Sequence, residues 1–318
     1  MKPTSAPAVA AGPSAPFTRR DFLQRTATLA AAGLAAGAWP AVEAAAAAPI
    51  KPVVGSQLYG WGQYYQREGK NLNDHLDEVF SALRDAGFDY AEGNVDVAKP
   101  ENNQQFAEQL KAKGLKPVSL YTGGRLHDEK AGEVVARLLS AAKLCRIAGF
   151  SVINCNPDPI GREKTDAELA TQVAALKQLG LGLKAMGLRL GIHHHTPEMV
   201  NHAREFHWNF RQSPAGTVDF CFDVHWVYRG GLPPLEALTE YGDRVVSWHL
   251  RQSREQIWWE DLDTGDIDYA AVVKAATARG CAPRYSVELA LENGTKITRS
   301  SVENHRRSRE FVRRVFGC

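Results

Sequence analysis

Imidazoles and carboxylates recur in this chain where apolar runs end. His193, His194 and His195 close the segment LRLGIHHH, His225 follows FDV, and His249 lies in VVSWHL. Two acids have similar settings: Asp223 in FCFDVHW and Glu288 in YSVELA. A carboxylate without a partner is costly to bury, so acids at such places call for a cation or a donor. Nitrogen and oxygen donors drawn from segments far apart in sequence are what a divalent metal site needs, and a mixed set suits Mn, Zn, Fe or Co better than Ca. Any one of these histidines alone reads as readily as a hydrogen-bonded core or rim residue. His202 and His207, on an expected surface helix, read as solvated. Three or four such residues on separate strands are harder to dismiss.

Side chains two apart on a strand share a face. His193 and His195 therefore point one way and His194 the other, while Asp223 can pair with His225 and His249 with Arg251. Asn154 and Asn156 end a fourth apolar run, Glu92 ends a second, and Tyr59 and Trp61 follow the first. If these positions face one end of a barrel, Asp223, His249, Glu288 and either His193 or His195 can surround one ion.

The elements that must position them alternate in type. Apolar runs at Pro52–Tyr59, Phe88–Glu92, Lys116–Tyr121, Ser151–Asn156, Arg189–His193, Thr217–Asp223, Val245–Leu250 and Arg284–Leu289 read as eight strands. Between them lie helical patterns. Leu76, Val79, Phe80 and Leu83 keep i, i+3, i+4, i+7 spacing behind an Asn73 cap and stop at Gly87; segments 102–113, 129–148, 166–186, 199–211, 234–241, 269–279 and 298–316 follow suit. Eight β-then-α units predict a parallel sheet closed into a (β/α)8 TIM barrel, whose active sites form at the strand C-termini. No G-x-G-x-x-G follows the first strand, which argues against a dinucleotide fold. The irregular stretch Gln252–Asp268, with Trp258 and Trp259, is placed to cover the barrel mouth or to pack on a partner subunit in a homo-oligomer.

The first 46 residues read as an address. Thr18-Arg19-Arg20-Asp21-Phe22-Leu23-Gln24 resembles the twin-arginine export signal, followed by an Ala/Gly-rich stretch and several A-x-A cleavage sites. Pro40 and Glu43 interrupt it, a poor match to the roughly 20 strongly apolar residues of a membrane span. The expectation is a periplasmic or secreted chain, free of the membrane after processing, with one domain over 50–318. Removing 1–46 takes four basic and two acidic residues from a net charge of +2, leaving a neutral chain. That argues against a nucleic-acid partner. The five cysteines are odd in number and widely spaced, so no disulfide framework is implied.

At its histidines and acids the chain resembles the xylose isomerase-like barrels, known as sugar phosphate isomerases/epimerases, over essentially all of 52–316. The resemblance rests on LGIHHHTPE (190–198), FDVHWVYRGGLPPLEAL (222–238), RVVSWHL (244–250), DTGDIDYAAV (263–272) and YSVEL (285–289). It implies one divalent metal held by His193 (or His195), Asp223, His249 and Glu288, and a sugar or keto-sugar substrate processed through an enediolate. Glu288, Glu198 or His195 would serve as base, with Asn156, Trp226, Arg251 and Glu92 as substrate contacts. The chain departs from the family where epimerases carry a second glutamate on the fifth strand: His193 stands there, and Glu198 lies five residues on. Isomerisation, epimerisation and elimination all remain open. The alternatives are a lyase or hydrolase of 3-keto-glycosides and a non-catalytic sugar-binding barrel. Apurinic-site endonucleases share the barrel, but they need the basic surface that this chain lacks.

Overall fold

Seven strands are laid down in order in a computed structural model that describes residues 51–318: β1 (Val53–Gln57), β2 (Tyr90–Asn94), β3 (Ser119–Gly124), β4 (Val152–Pro157), β5 (Arg189–Ile192), β6 (Asp219–Asp223) and β7 (Val245–Leu250). A small hairpin, β8 (Ser253–Arg254) and β9 (Ile257–Trp258), precedes the last barrel strand, β10 (Arg284–Val287). Each barrel strand pairs parallel with its neighbours, and β1 closes the ring on β10. The expected eightfold barrel is therefore present. The export leader expected at 1–46 lies outside the described residues.

The helices are α1 (Leu58–Arg67), α2 (Leu76–Ala86), α3 (Asn102–Ala112), α4 (Ala131–Ala148), α5 (Asp166–Ala185), α6 (Thr196–Arg211), α7 (Val224–Arg229), α8 (Pro234–Tyr241), α9 (Tyr269–Ala278) and α10 (Ser301–Phe316). In α2 the predicted stripe is real: Val79, Phe80 and Leu83 are buried, and Gly87 ends the helix with φ 87°, a left-handed conformation that glycine adopts without strain. Each such side chain contributes roughly 1.5–3 kcal/mol on burial. A short 3-10 turn, Leu72–His75, takes up the start expected at Asn73. Helix α5 opens on a capping box between Thr165 and Glu168. Helix α6 is broken within: Asn201, His202 and Ala203 have φ of 51–56°.

The strands do not read as continuously apolar runs on both faces. Their outward residues, such as Trp248, Phe220 and Phe222, pack under the helices. Their inward residues are polar, and contacts between non-adjacent strands prove the direction. Glu92 of β2 meets Asn154 of β4 and His249 of β7; Asn154 accepts from Ser247 Oγ at 2.7 Å; Tyr90 and Ser286 hydroxyls meet at 2.8 Å. Gly191 on β5 gives this interior its room, since a Cβ there would stand 2.5 Å from Asn154 Oδ1. All five cysteines are unpaired, with Cys155 and Cys221 buried in β4 and β6.

Candidate active site

Strand register brings the expected residues together. Asp223 on β6 lies directly beside His249 on β7, and Ser286 on β10 pairs with His249, which sets Glu288 next to Arg251. His193, just past β5, is anchored by its amide to Cys155 O at 2.9 Å. One donor atom from each of His193, Asp223, His249 and Glu288 lies within 4.8 Å of the others, and all four residues are buried. Between the two histidines that sequence left open, His193 joins the group. His195 sits at its edge, its ring 4.7 Å from that of His193 and perpendicular to Trp226 at 5.2 Å. His194 points away, as strand parity requires, into a box of Phe206, Phe210 and Phe220.

The partners of the two ligand histidines determine which nitrogen each presents. Asn156 donates its Nδ2 to Pro157 O (2.8 Å), so its Oδ1 faces His193 Nδ1 at 3.3 Å and takes that proton. Burial, with the neighbouring His195 and His249, drives the His193 pKa well below its usual value, so the ring is neutral. Its Nε2 lone pair then looks at Asp223 Oδ2 across 3.3 Å, acceptor against acceptor, an arrangement that calls for a cation between them. His249 gives Nε2–H to Glu92 Oε1 at 2.7 Å, which leaves Nδ1 toward the cluster. That Nδ1 is 2.8 Å from Glu288 Oε2, yet it makes no aligned hydrogen bond. Burial opposes charge on His249, but Cys221 and the Glu92 and Glu288 carboxylates outweigh it and raise its pKa well above the usual value. Two imidazole lone pairs and two carboxylate oxygens converging in this way fit a divalent ion.

Arg251 completes the electrostatics. Its buried Nη2 lies 3.0 Å from Asp223 Oδ2 and 2.8 Å from Glu288 Oε1, and its guanidinium stacks 4.5 Å over Trp258 and 5.3 Å from Trp226. Burial would raise the Glu288 pKa, but Arg251 and His249 hold it down to about 2. Trp258 reaches the site on the β8–β9 hairpin, whose turn puts Glu255 and Gln256 at φ 52° and 67°. Asp266 secures that turn by accepting from both of their amides.

Three expected roles are corrected. Glu92, expected to touch substrate, is fully buried with its oxygens taken by Ser119, Asn154 and His249; it supports the cluster from behind. Glu198, expected as a base, is fully buried away from the cavity and accepts from the His195 amide at 2.7 Å, while burial pushes its pKa up to about 7. Asn156 orients His193 and does not line the cavity. His225 starts a turn of α7, where both its ring nitrogens are buried without partners, and is not among the donors. His207 is half-buried and bonds the Tyr241 hydroxyl at 2.7 Å. Sequence reasoning missed Tyr121, whose ring packs beside both His193 (5.3 Å) and His249 (6.2 Å) and lines the cavity; nothing in SLYTGG distinguishes it from a core tyrosine.

The cluster opens into a cavity of about 1270 Å³ lined on one side by His193, His195, Trp226, Arg251 and Glu288. The sequence matches the description of xylose isomerase-like TIM barrels over residues 80–315. The chain belongs to this family. Among solved structures, this xylose isomerase-like barrel is similar to a sugar phosphate isomerase/epimerase from Parabacteroides distasonis (18% identity, TM-score 0.67, covering 86% of this chain and 98% of that one). It is also similar to an L-ribulose 3-epimerase (18%, 0.67, 84% and 95%) and to a xylose isomerase-like TIM barrel protein from Mycobacterium smegmatis in complex with magnesium (15%, 0.65, 83% and 96%). No protein of curated function matches the chain.

Proposed function

We propose that this barrel is a divalent-metal-dependent sugar isomerase or epimerase acting on an uncharged sugar or keto-sugar. The observation that carries the reading is the convergence of His193 Nε2, Asp223, His249 Nδ1 and Glu288, with both imidazole N–H groups committed to Asn156 and Glu92. Neighbours named as an L-ribulose 3-epimerase and a magnesium complex support it. When bound, the ion supplies a Lewis acid that polarises a hydroxyl–carbonyl pair and acidifies the adjacent C–H. His195 is the best-placed base: it lines the cavity, is not a ligand, and burial lowers its pKa, so it is neutral near pH 7. Glu288, ionised and held by Arg251, faces the same space from β10 and serves as the second proton-handling group. His195 takes the proton and, as imidazolium, returns it to the neighbouring carbon, which isomerises the sugar. Inversion of a single carbon needs Glu288 to enter the cycle protonated, so that it delivers its proton to one face while His195 removes the proton from the other. His195 thus takes the part that a second glutamate plays elsewhere in the family.

Arg251 and Lys70 are the Arg and Lys residues lining the cavity, and Arg251 is engaged by two carboxylates. A phosphate therefore has no ready cationic seat. The twin-arginine pattern at Arg19-Arg20 supports export to the periplasm or beyond, where unphosphorylated sugars are the natural substrates. The test is elemental analysis together with proton exchange. The chain should carry about one Mn, Zn, Fe or Co, lost in Asp223→Asn and His249→Ala but kept in His207→Ala. Incubated with keto-sugars in D2O, it should place deuterium on the carbon beside the carbonyl. Equal metal in all variants, or no exchange with any sugar, sinks the reading. A barrel that binds sugar equally well as Glu288→Gln and never exchanges protons is instead a binding protein.

A further inference from the structure

The cavity extends well past the metal cluster. At about 1270 Å³ it exceeds the roughly 300–1,000 Å³ usual for a single small-molecule site. Its far wall comes from the opposite side of the mouth: α1, the end of β2 and one face of α3. There the lining includes Gln66, Asn94, Gln105 and Gln109 around the half-buried ring of Phe106. Among the described residues none of those four amide side chains makes a hydrogen bond within the protein, although other amides of the same wall, Asn102 and Asn103, are engaged. Phe106 is held edge-on to Phe80 at 5.7 Å and stacked on Phe150 at 6.4 Å, so it forms a fixed floor. Gly93 lets it sit there, because a Cβ would meet the ring at 2.8 Å.

The lysine lining this end is paired and the acid is hydrogen-bonded. Lys70 pairs with Glu68 at 2.7 Å, and Asp96 accepts from the Lys99 amide and from Asn102. Free amides, each with a donor and an acceptor, set around an aromatic face match one chemistry well: a ring of hydroxyls with an apolar C–H face. We propose that the groove formed by Gln66, Gln105, Gln109 and Phe106 is a subsite for a second sugar ring. The substrate is then a neutral glycoside, its reacting ring at His193 and Glu288 and its second ring on Phe106. This inference rests on the sugar-processing reading above.

The test measures equilibrium binding to the metal-loaded protein by calorimetry. Cellobiose, maltose, lactose and trehalose are compared with glucose, galactose and the methyl glucosides. At least one disaccharide should bind about tenfold more tightly than its component monosaccharides, the margin expected from two or three added neutral hydrogen bonds. The triple variant Gln66→Ala/Gln105→Ala/Gln109→Ala should lose that margin while keeping its metal, its melting temperature and its monosaccharide affinity. Monosaccharides binding as tightly as every disaccharide, or a triple variant that keeps the margin, overturns the subsite and leaves the metal-sugar reading standing. Binding of neither class by fully metallated protein defeats both.

Discussion

Replacing Glu92 with glutamine removes one charge and one acceptor from a group that nothing in solvent can reach. The carboxylate accepts from Ser119 Oγ, from Asn154 Nδ2 at 2.9 Å and from His249 Nε2 at 2.7 Å. Glutamine offers one oxygen and an NH2. If the oxygen stays on His249, the NH2 confronts Asn154 Nδ2, whose own Oδ1 is occupied by Ser247. One buried donor then goes unsatisfied, a loss of about 1–3 kcal/mol in folding stability. The metal effect is separate. A neutral amide oxygen still accepts the Nε2–H but makes His249 a poorer donor to the ion, which should weaken binding by about 10–100-fold, or roughly 1.4–2.7 kcal/mol. Competition of Zn²⁺ against a chromophoric chelator, well below the unfolding midpoint, reads the second effect alone. The Zn²⁺-loaded wild type should also show a slowly exchanging His249 Nε2–H by NMR. Unchanged Zn²⁺ affinity in a Glu92→Gln protein that is measurably less stable would refute the reasoning, because Glu92 would then hold the barrel and not the ligand.

Arg251→Met leaves Asp223 and Glu288 buried without their shared cation, so metal-free protein should lose roughly 3–5 kcal/mol in urea unfolding and regain part of it with Mn²⁺. An undiminished metal-free midpoint would contradict that electrostatic account. Tyr121→Phe removes a cavity hydroxyl that no described residue engages; kcat/KM should drop about tenfold with metal content unchanged. His305 is stacked on Trp61 at 4.2 Å, and burial holds its pKa down to about 4 against about 6.5 when unfolded. The folded state therefore binds fewer protons, and this stability is complete above about pH 6.5 and lost as pH falls toward 4. Between pH 7 and pH 5 the wild type should lose about 2 kcal/mol more than His305→Leu. Parallel pH profiles for the two proteins would remove His305 from the explanation.

Periodicity exposed most of the barrel because its outward strand faces and helix stripes obey simple repeats. Val245–Leu250 and 234–241 emerge with their ends unchanged, and the remaining strands shift by a few residues. Helix α1 escaped because LYGWGQYYQR carries two glycines and four aromatics, which locally argue against a helix. It forms through the Gln57 cap and the burial of Trp61 and Tyr64. Trp61 accordingly packs against Ser56 and His305 instead of facing the mouth. Helix α7 is six residues long and is capped by Asp223 itself, so it turns His225 away from the partner that strand parity assigned it. The inward polar rows were legible only as isolated letters. That Glu92 meets His249, 157 residues on, is a property of ring closure, and no local pattern encodes it.

That inward polar row also bears on how the chain reaches its native state. Ser119 on β3 serves Glu92 on the neighbouring β2, but Glu92, Asn154 on β4, and Ser247 and His249 on β7 satisfy one another across the lumen. Split between β4 and β5, either half would expose these groups, and the half holding Glu92 would carry a carboxylate stripped of its imidazole. The barrel should therefore assemble as one cooperative unit rather than as two half-barrels that dock. Native-state hydrogen exchange should accordingly report a single global opening for the amides of β2, β4 and β7.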